Sequence, residues 1–223
     1  EEIVVADGHW ARSNILIAEL DPRARLNSGS PSPFSMVQGI ADGVNAAFFI
    51  GYHARIGSQN AILDHTWSSA AVANVWLNGL LTGEIGLNAA LCGSFGTPVL
   101  LLSGDQTAAA EARELLGEVE TAVVKQASGR FAAECLPPAV TAKLIRESAA
   151  RAVRRYQSGS APAPLKVALP ATVTVEFIYS NMADMAAILP AAVRLDARRV
   201  AYTAADMPTL YRAFRSLVGL ANK

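Results

Sequence analysis

The chain has little charge, and this scarcity excludes several kinds of protein. Only 17% of its 223 residues are charged, and 19 basic residues balance 19 acidic ones. A protein that binds along phosphate backbones usually has a basic excess, so we expect no nucleic-acid partner. Hydrophobic residues make up 52% of the chain, which excludes a disordered polypeptide.

Long apolar runs and cysteines are also scarce. The apolar runs are short, such as residues 98–102, whereas a bilayer-spanning helix needs roughly 18 consecutive apolar residues. We therefore expect no membrane partner. The two cysteines, Cys92 and Cys135, are too few for a disulfide framework or a thiolate zinc site. We predict that both are buried free thiols and that the protein is cytoplasmic.

The apolar runs that are present alternate with helical patterns. Strands are predicted at residues 3–6, 44–50, 98–102 and 119–124, and helices at residues 71–81, 84–95, 107–116 and 137–156. Fully apolar strands that alternate with helices are typical of a parallel sheet covered on both faces. The sequence therefore predicts an α/β fold with a mostly parallel sheet covered by helices.

The last third of the chain has a different pattern. Residues 157–164, QSGSAPAP, are rich in small residues and proline, which predicts a linker. Beyond it, residues 171–178 alternate as a half-buried strand, residues 193–202 suggest another, and residues 207–220 suggest a closing helix. We predict a catalytic, metal-binding α/β domain over residues 1–157 and a small α+β unit over residues 158–223.

Two of the three histidines follow predicted buried strands. His9 and His53 each lie three residues past a strand end, and in open α/β sheets the ligand site lies at the carboxyl ends of the strands. If both strands belong to one parallel sheet, the two imidazoles reach the same edge. With Glu84, which opens a predicted helix, they form a donor set suited to a catalytic zinc ion. The alternative is that each histidine is a hydrogen-bonded structural residue.

The third histidine, His65, lies in a polar segment next to Asp64. A histidine near a metal site can act as general base, general acid or nucleophile, because its pKa lies near the working pH. The alternatives are a third metal ligand or a hydrogen-bond donor within the loop. Asp64 either orients His65 or caps the segment that follows.

These residues lie in motifs that resemble the zinc D-aminopeptidases of the DppA type, from bacterial dipeptide-transport operons. The motifs follow the order of that family: DGH at 7–9, SG at 28–29, PFSMV at 33–37, GYHAR at 51–55, His65, GEIGLNA at 83–89, SGD at 103–105 and VKQ at 124–126. They cover residues 1 to about 150, and the last third is similar only loosely.

The resemblance implies a zinc aminopeptidase that removes N-terminal D-residues, preferably D-alanine, from short peptides. It also implies a ring-shaped homo-oligomer, a decamer, whose active sites face an internal chamber. His9, His53 and Glu84 match metal-ligand positions of the family, and His65 matches its proposed catalytic histidine.

One departure from the family concerns the second metal ion. Members begin with a strand bearing Asp-x-Glu, which supplies a bridging Asp and another carboxylate ligand, and no Asp-x-Glu occurs in these 223 residues. Asp7 is the nearest substitute. We expect two zinc ions per subunit if that upstream strand is supplied and one or none otherwise, and we expect the chain to be a fragment or to be separated from that strand.

Two other functions stay open at this point. The same ligands would serve another metallohydrolase, an amidase or a phosphoesterase. A chain without the upstream carboxylates could instead be a non-catalytic assembly or peptide-binding domain.

Overall fold

The computed structural model describes residues 2–222, and the chain divides into two units, Glu1–Asn45 and Ala46–Lys223. In the first unit, strand β1 (Ile3–Ala6) pairs in parallel with strand β2 (Ala24–Asn27). This unit also has three short 3-10 turns, Ile17–Glu19 between the two strands and Ser35–Val37 and Ile40–Asp42 after β2.

The second unit contains nine strands and five helices among the described residues. The strands are β3 (Ala47–Phe49), β4 (Val72–Leu77), β5 (Leu80–Leu81), β6 (Val99–Asp105), β7 (Glu120–Gly129), β8 (Ala132–Cys135), β9 (Ala171–Phe177), β10 (Val193–Arg194) and β11 (Arg199–Ala204). The helices are α1 (Glu84–Ser94), α2 (Gln106–Leu116), α3 (Pro138–Gln157), α4 (Ser180–Ala186) and α5 (Met207–Ala221).

A four-stranded sheet in the order β3-β6-β7-β8 confirms the parallel part of the prediction. β3 pairs in parallel with β6 and β6 with β7, and β8 returns antiparallel to β7. All seven residues of β6 are buried, as expected for a central strand covered on both faces. The protein has the predicted α/β fold, although β1 pairs with β2 rather than joining this sheet.

A second sheet is antiparallel throughout, in the order β10-β11-β9-β4-β5. The predicted helix at residues 71–81 is wrong, because this segment forms the hairpin β4–β5. Its turn residues Asn78 and Gly79 have φ angles of 49° and 82°, and Asn-Gly between apolar runs is a strong hairpin signal.

The division of the chain differs from the predicted one at residue 157. β9, which follows the predicted linker, pairs with β4, which precedes it, so the segments on both sides of residue 157 share one sheet. The compact units instead divide after Asn45.

The predicted helices after residue 84 are confirmed to within one or two residues. Helix α2 is capped by Asp105, whose side chain accepts a hydrogen bond from the Ala108 amide. Within residues 2–222, the structure contains no helix long and apolar enough to cross a membrane.

Candidate metal centre

Three segments of the second unit bring His53, His65 and Glu84 together. His53 lies in the loop after β3, His65 lies further along the same connection, and Glu84 is the first residue of α1. One potential ligand atom from each residue lies within 4.8 Å of the others. The predicted residues His53 and Glu84 therefore meet, and His65 joins them.

The two imidazoles present the same nitrogen to the carboxylate. His53 Nε2 lies 3.4 Å from Glu84 Oε2, and His65 Nε2 lies 3.7 Å from Glu84 Oε1. The Nδ1 atoms contact backbone carbonyls, of Ala54 at 3.0 Å for His53 and of Leu63 at 2.7 Å for His65. A carbonyl can only accept, so each Nδ1 carries a proton, and in the neutral ring each Nε2 keeps a lone pair that can bind a metal ion or accept a proton.

The rings of His53 and His65 stack, with centroids 3.8 Å apart and an interplanar angle of 20°. Burial and the charge of His53 lower the pKa of His65. Burial alone would lower the pKa of His53 as well, but the hydrogen bond and charge of Glu84 outweigh it and raise the pKa of His53. As pH falls, His53 therefore takes up a proton before His65 does.

Glu84 is held as a buried anion. Burial alone would raise its pKa, but the hydrogen bond and charge of His53, the charge of His65 and the Trp67 amide together lower the pKa. The Trp67 N–H donates to Glu84 Oε1 over 2.7 Å. The Trp67 ring packs edge-on against Tyr211 and Phe214 of α5, with centroid distances of 5.8 and 5.2 Å. Helix α5 thus supports the residue that anchors this carboxylate.

The segments that carry His53 and Glu84 approach closely at Gly83. A Cβ atom on Gly83 would lie 2.6 Å from Arg55 Cβ, 2.9 Å from Arg55 Cα and 3.2 Å from Glu111 Oε1. The buried Glu111 accepts a hydrogen bond from the Arg55 amide at 2.8 Å through Oε2. Glu111 therefore fastens the segment two residues beyond His53 to helix α2.

A second buried connection joins the segment of His53 to α1 and α5. The side-chain amide group of Asn88 donates through Nδ2 to the Tyr52 hydroxyl at 2.8 Å, and the Tyr211 hydroxyl donates to Asn88 Oδ1 at 2.6 Å. Burial raises the pKa of Tyr52 well above its ordinary value, so this hydroxyl stays neutral. Neutral, paired hydroxyls in a buried network hold a unique geometry.

Three residues that support the site, Glu111, Asn88 and Trp67, were not predicted from the sequence. Only Glu111 had a signal: it falls on the same face of α2 as the buried Ala108 and Ala112, where a charge needs a specific partner. The Asp64 carboxylate accepts hydrogen bonds from the Gly57 amide and from Arg130 instead of from the His65 ring, so any orienting effect on His65 acts through the segment that carries both residues.

His9 lies in the first unit, in an exposed turn after β1. The predicted sheet edge shared by His9 and His53 is wrong, because β1 and β3 belong to different sheets. A ligand role for His9 stays a prediction that rests on the family resemblance. Asp7, the suggested substitute ligand, accepts hydrogen bonds from the amides of Asn14 and Ile15 and from the Asn14 side chain.

The donor set fits a zinc ion. Imidazole nitrogens and carboxylate oxygens, which His53 and Glu84 supply here, are ligands of catalytic zinc, with bonds of about 2.0–2.2 Å. Two tetrahedral ligands at such bond lengths lie roughly 3.3 Å apart, close to the 3.4 Å between His53 Nε2 and Glu84 Oε2. The site needs only a small adjustment to bind the ion.

Of the cysteines, Cys92 is buried as predicted, but Cys135 is exposed at the end of β8, so that half of the prediction is wrong.

Comparisons with known proteins agree on one family. The family described as D-aminopeptidase matches residues 1–216. A D-aminopeptidase of Bacillus subtilis (strain 168) is 36% identical over 221 residues, which are 99% of this chain and 79% of that protein. The solved structure of the Zn-dependent D-aminopeptidase DppA from Bacillus subtilis, a self-compartmentalizing protease, matches with a TM-score of 0.93 and 35% identity, over the whole of this chain and 80% of that chain.

Proposed function

Because the chain belongs to the D-aminopeptidase family, we propose that it removes N-terminal D-residues, D-alanine above all, from short peptides in a zinc-dependent reaction. The chain is an aminopeptidase, a hydrolase that acts on peptide bonds. The observation that carries the proposal is the convergence of two imidazole Nε2 atoms on one buried carboxylate. The Zn dependence of the similar DppA structure supports the choice of metal.

In this proposal His53 and Glu84 hold the ion, and His9 is a further ligand, as the resemblance implies. Zinc supplies Lewis acidity that polarises a carbonyl and acidifies a water molecule. The backbone carbonyl of Ala54 holds the His53 ring in the metal-binding tautomer, and the Trp67 amide holds Glu84. A second ion would need carboxylates beyond these residues.

We assign proton transfer to His65. Its side chain is more exposed than that of His53, 27% against 17%, so it is the imidazole that a substrate can reach. Its lowered pKa keeps it neutral near pH 7, ready to accept a proton from the attacking water and to return it to the leaving amine.

The preference for D-alanine and for short peptides rests on the family resemblance. DppA is a self-compartmentalizing protease, which supports a proposal that this chain also assembles into a ring-shaped homo-oligomer, a decamer by resemblance. A cytoplasmic location remains a proposal from the two free thiols.

Turnover of matched dipeptides tests the function. Zinc-replete protein should release alanine from D-Ala-D-Ala much faster than from L-Ala-L-Ala, should leave p-nitrophenyl phosphate intact, and should lose activity to a chelator and regain it with zinc. Cleavage of the phosphate ester with intact dipeptides would mean a phosphoesterase. Binding of D-Ala-D-Ala without turnover would mean a peptide-binding domain.

A further inference from the structure

We propose that Arg130 is a positioning residue for His65, holding its segment from the tip of the β7–β8 hairpin. Arg130 lies in the turn between these strands, between Gly129 and Ala132. The inference deepens the proposed function, because it rests on His65 as the proton-transfer group.

Arg130 makes three hydrogen bonds to the two residues that precede His65. Its carbonyl accepts from the Leu63 amide at 2.8 Å. Its Nε donates to Asp64 Oδ1 at 2.9 Å, and Nη2 donates to the Asp64 carbonyl at 3.0 Å. Arg130 therefore holds the backbone of both Leu63 and Asp64 and the side chain of Asp64.

The conformation of these neighbours sets the direction of the His65 ring. The Leu63 carbonyl accepts the Nδ1 proton of His65 at 2.7 Å, so the position of Leu63 decides where Nε2 points. Leu63 has a φ of 51°, a left-handed conformation that costs leucine free energy and persists only when its surroundings impose it.

Apolar packing does little to impose that conformation, since Leu63 is 49% exposed. The Ile62 amide donates to Asp105 and fixes the chain on one side of Leu63, and the hydrogen bonds of Arg130 hold Leu63 itself and the other side. Asp64 completes the anchor, because its other carboxylate oxygen accepts from the Gly57 amide at 2.7 Å. The hairpin tip, the segment of His65 and the turn at Gly57 thus form one connected support.

The guanidinium group suits this position better than an ammonium group would. Two of its nitrogens donate at once to Asp64 in a fixed fork, whereas a lysine offers a single mobile point charge. The Phe131 ring lies under the guanidinium, 4.7 Å from ring centroid to Arg130 Cζ. Replacement by lysine should therefore keep only part of the support.

The experiment compares Arg130→Met, Arg130→Lys and a control, Arg198→Met, in zinc-replete protein with D-alanyl-p-nitroanilide as substrate. Arg198 matches Arg130 in exposure, with 47% and 42% of the side chain exposed. Each pairs with a carboxylate of low exposure, 16% for Glu176 beside Arg198 and 11% for Asp64 beside Arg130. A displacement of about 1 Å at a catalytic group costs roughly 100-fold in rate.

We expect Arg130→Met to lower kcat by about 10- to 100-fold, with KM and zinc content close to wild type. The kcat of Arg130→Lys should lie between those of the wild type and Arg130→Met. Arg198→Met should leave kcat unchanged. Adding Arg130→Met to His65→Ala should lower kcat no further. A further loss in that double variant would overturn the proposal, as would a change in KM alone, because either would mean that Arg130 acts on the substrate or on the whole fold.

Hydrogen exchange, measured by mass spectrometry, separates this proposal from the proposed function. Segment 57–65 should exchange at least several-fold faster in Arg130→Met, while segment 84–94 should not change. If the wild type fails to cleave the anilide, the function is wrong, but faster exchange in that segment still supports the positioning role. Unchanged exchange in an active enzyme would refute it.

Discussion

Replacing Gly83 with alanine should loosen the metal centre without touching a ligand. The φ angle of Gly83 is −121°, an extended conformation that any residue adopts, so the added methyl group causes no backbone strain. Its cost is steric: the new Cβ would lie 2.6 Å from Arg55 Cβ, whereas carbon atoms in contact are about 3.5–4.0 Å apart. The two segments must therefore separate by roughly 1 Å.

That separation acts on the two ligands that flank it in sequence. Gly83 precedes Glu84 directly, and Arg55 follows His53 by two residues. Zinc sites tolerate bond-length changes of only about 0.2 Å, so part of the displacement reaches the ion. We expect zinc affinity to fall by about 10- to 100-fold, as for the loss of a supporting contact, and stability to fall by about 1–3 kcal/mol.

Competition with a chromophoric chelator measures the zinc affinity, and thermal unfolding of the metal-free protein measures the stability. The expected decrease in Tm is roughly 3–10 °C for a chain of this size. Gly219→Ala is the control, because a Cβ there has no atom within 4 Å and the position lies in helix α5, where alanine is favoured by about 0.5–1 kcal/mol. Wild-type zinc affinity and Tm in Gly83→Ala would refute the reasoning.

Three further predictions concern single groups. His65→Ala should lower kcat by about 100- to 10,000-fold and keep its zinc, whereas loss of zinc would make His65 a ligand. Zinc affinity should rise with pH until His53 loses its proton, because Glu84 raises the pKa of His53 and the ion binds only the neutral ring. A zinc affinity that does not change with pH through neutrality would contradict this. Burial raises the pKa of Cys92 to about 12, so DTNB at pH 8 should modify only Cys135 in the native protein. In guanidinium, DTNB should modify both thiols. Rapid modification of both thiols in the native protein would be inconsistent with the fold.

The sequence contained those parts of the site that follow from regular structure. Glu84 could be placed because Gly83 and the apolar pattern after it predict the start of a helix, and His53 because it follows an apolar run that predicts a strand. The segment 71–81 was misassigned because its apolar spacing suits a helix, although Asn78-Gly79 indicated a hairpin.

The supports of the site could not be predicted, because they join loops that have no periodicity. Arg130 and Asp64 are 66 positions apart, and nothing in their spacing links them. The stacking of His65 on His53 likewise depends on a connection with left-handed residues such as Leu63. Such contacts follow from tertiary packing, which a local pattern does not contain.

Anomalous diffraction at the zinc edge, on crystals grown with zinc, tests the metal centre most directly. We expect a peak about 2.0–2.1 Å from His53 Nε2 and about 2.0–2.2 Å from a carboxylate oxygen of Glu84. A zinc peak bonded to neither residue, or no peak at this site in a crystal of active enzyme, would contradict the assignment of His53 and Glu84 as zinc ligands.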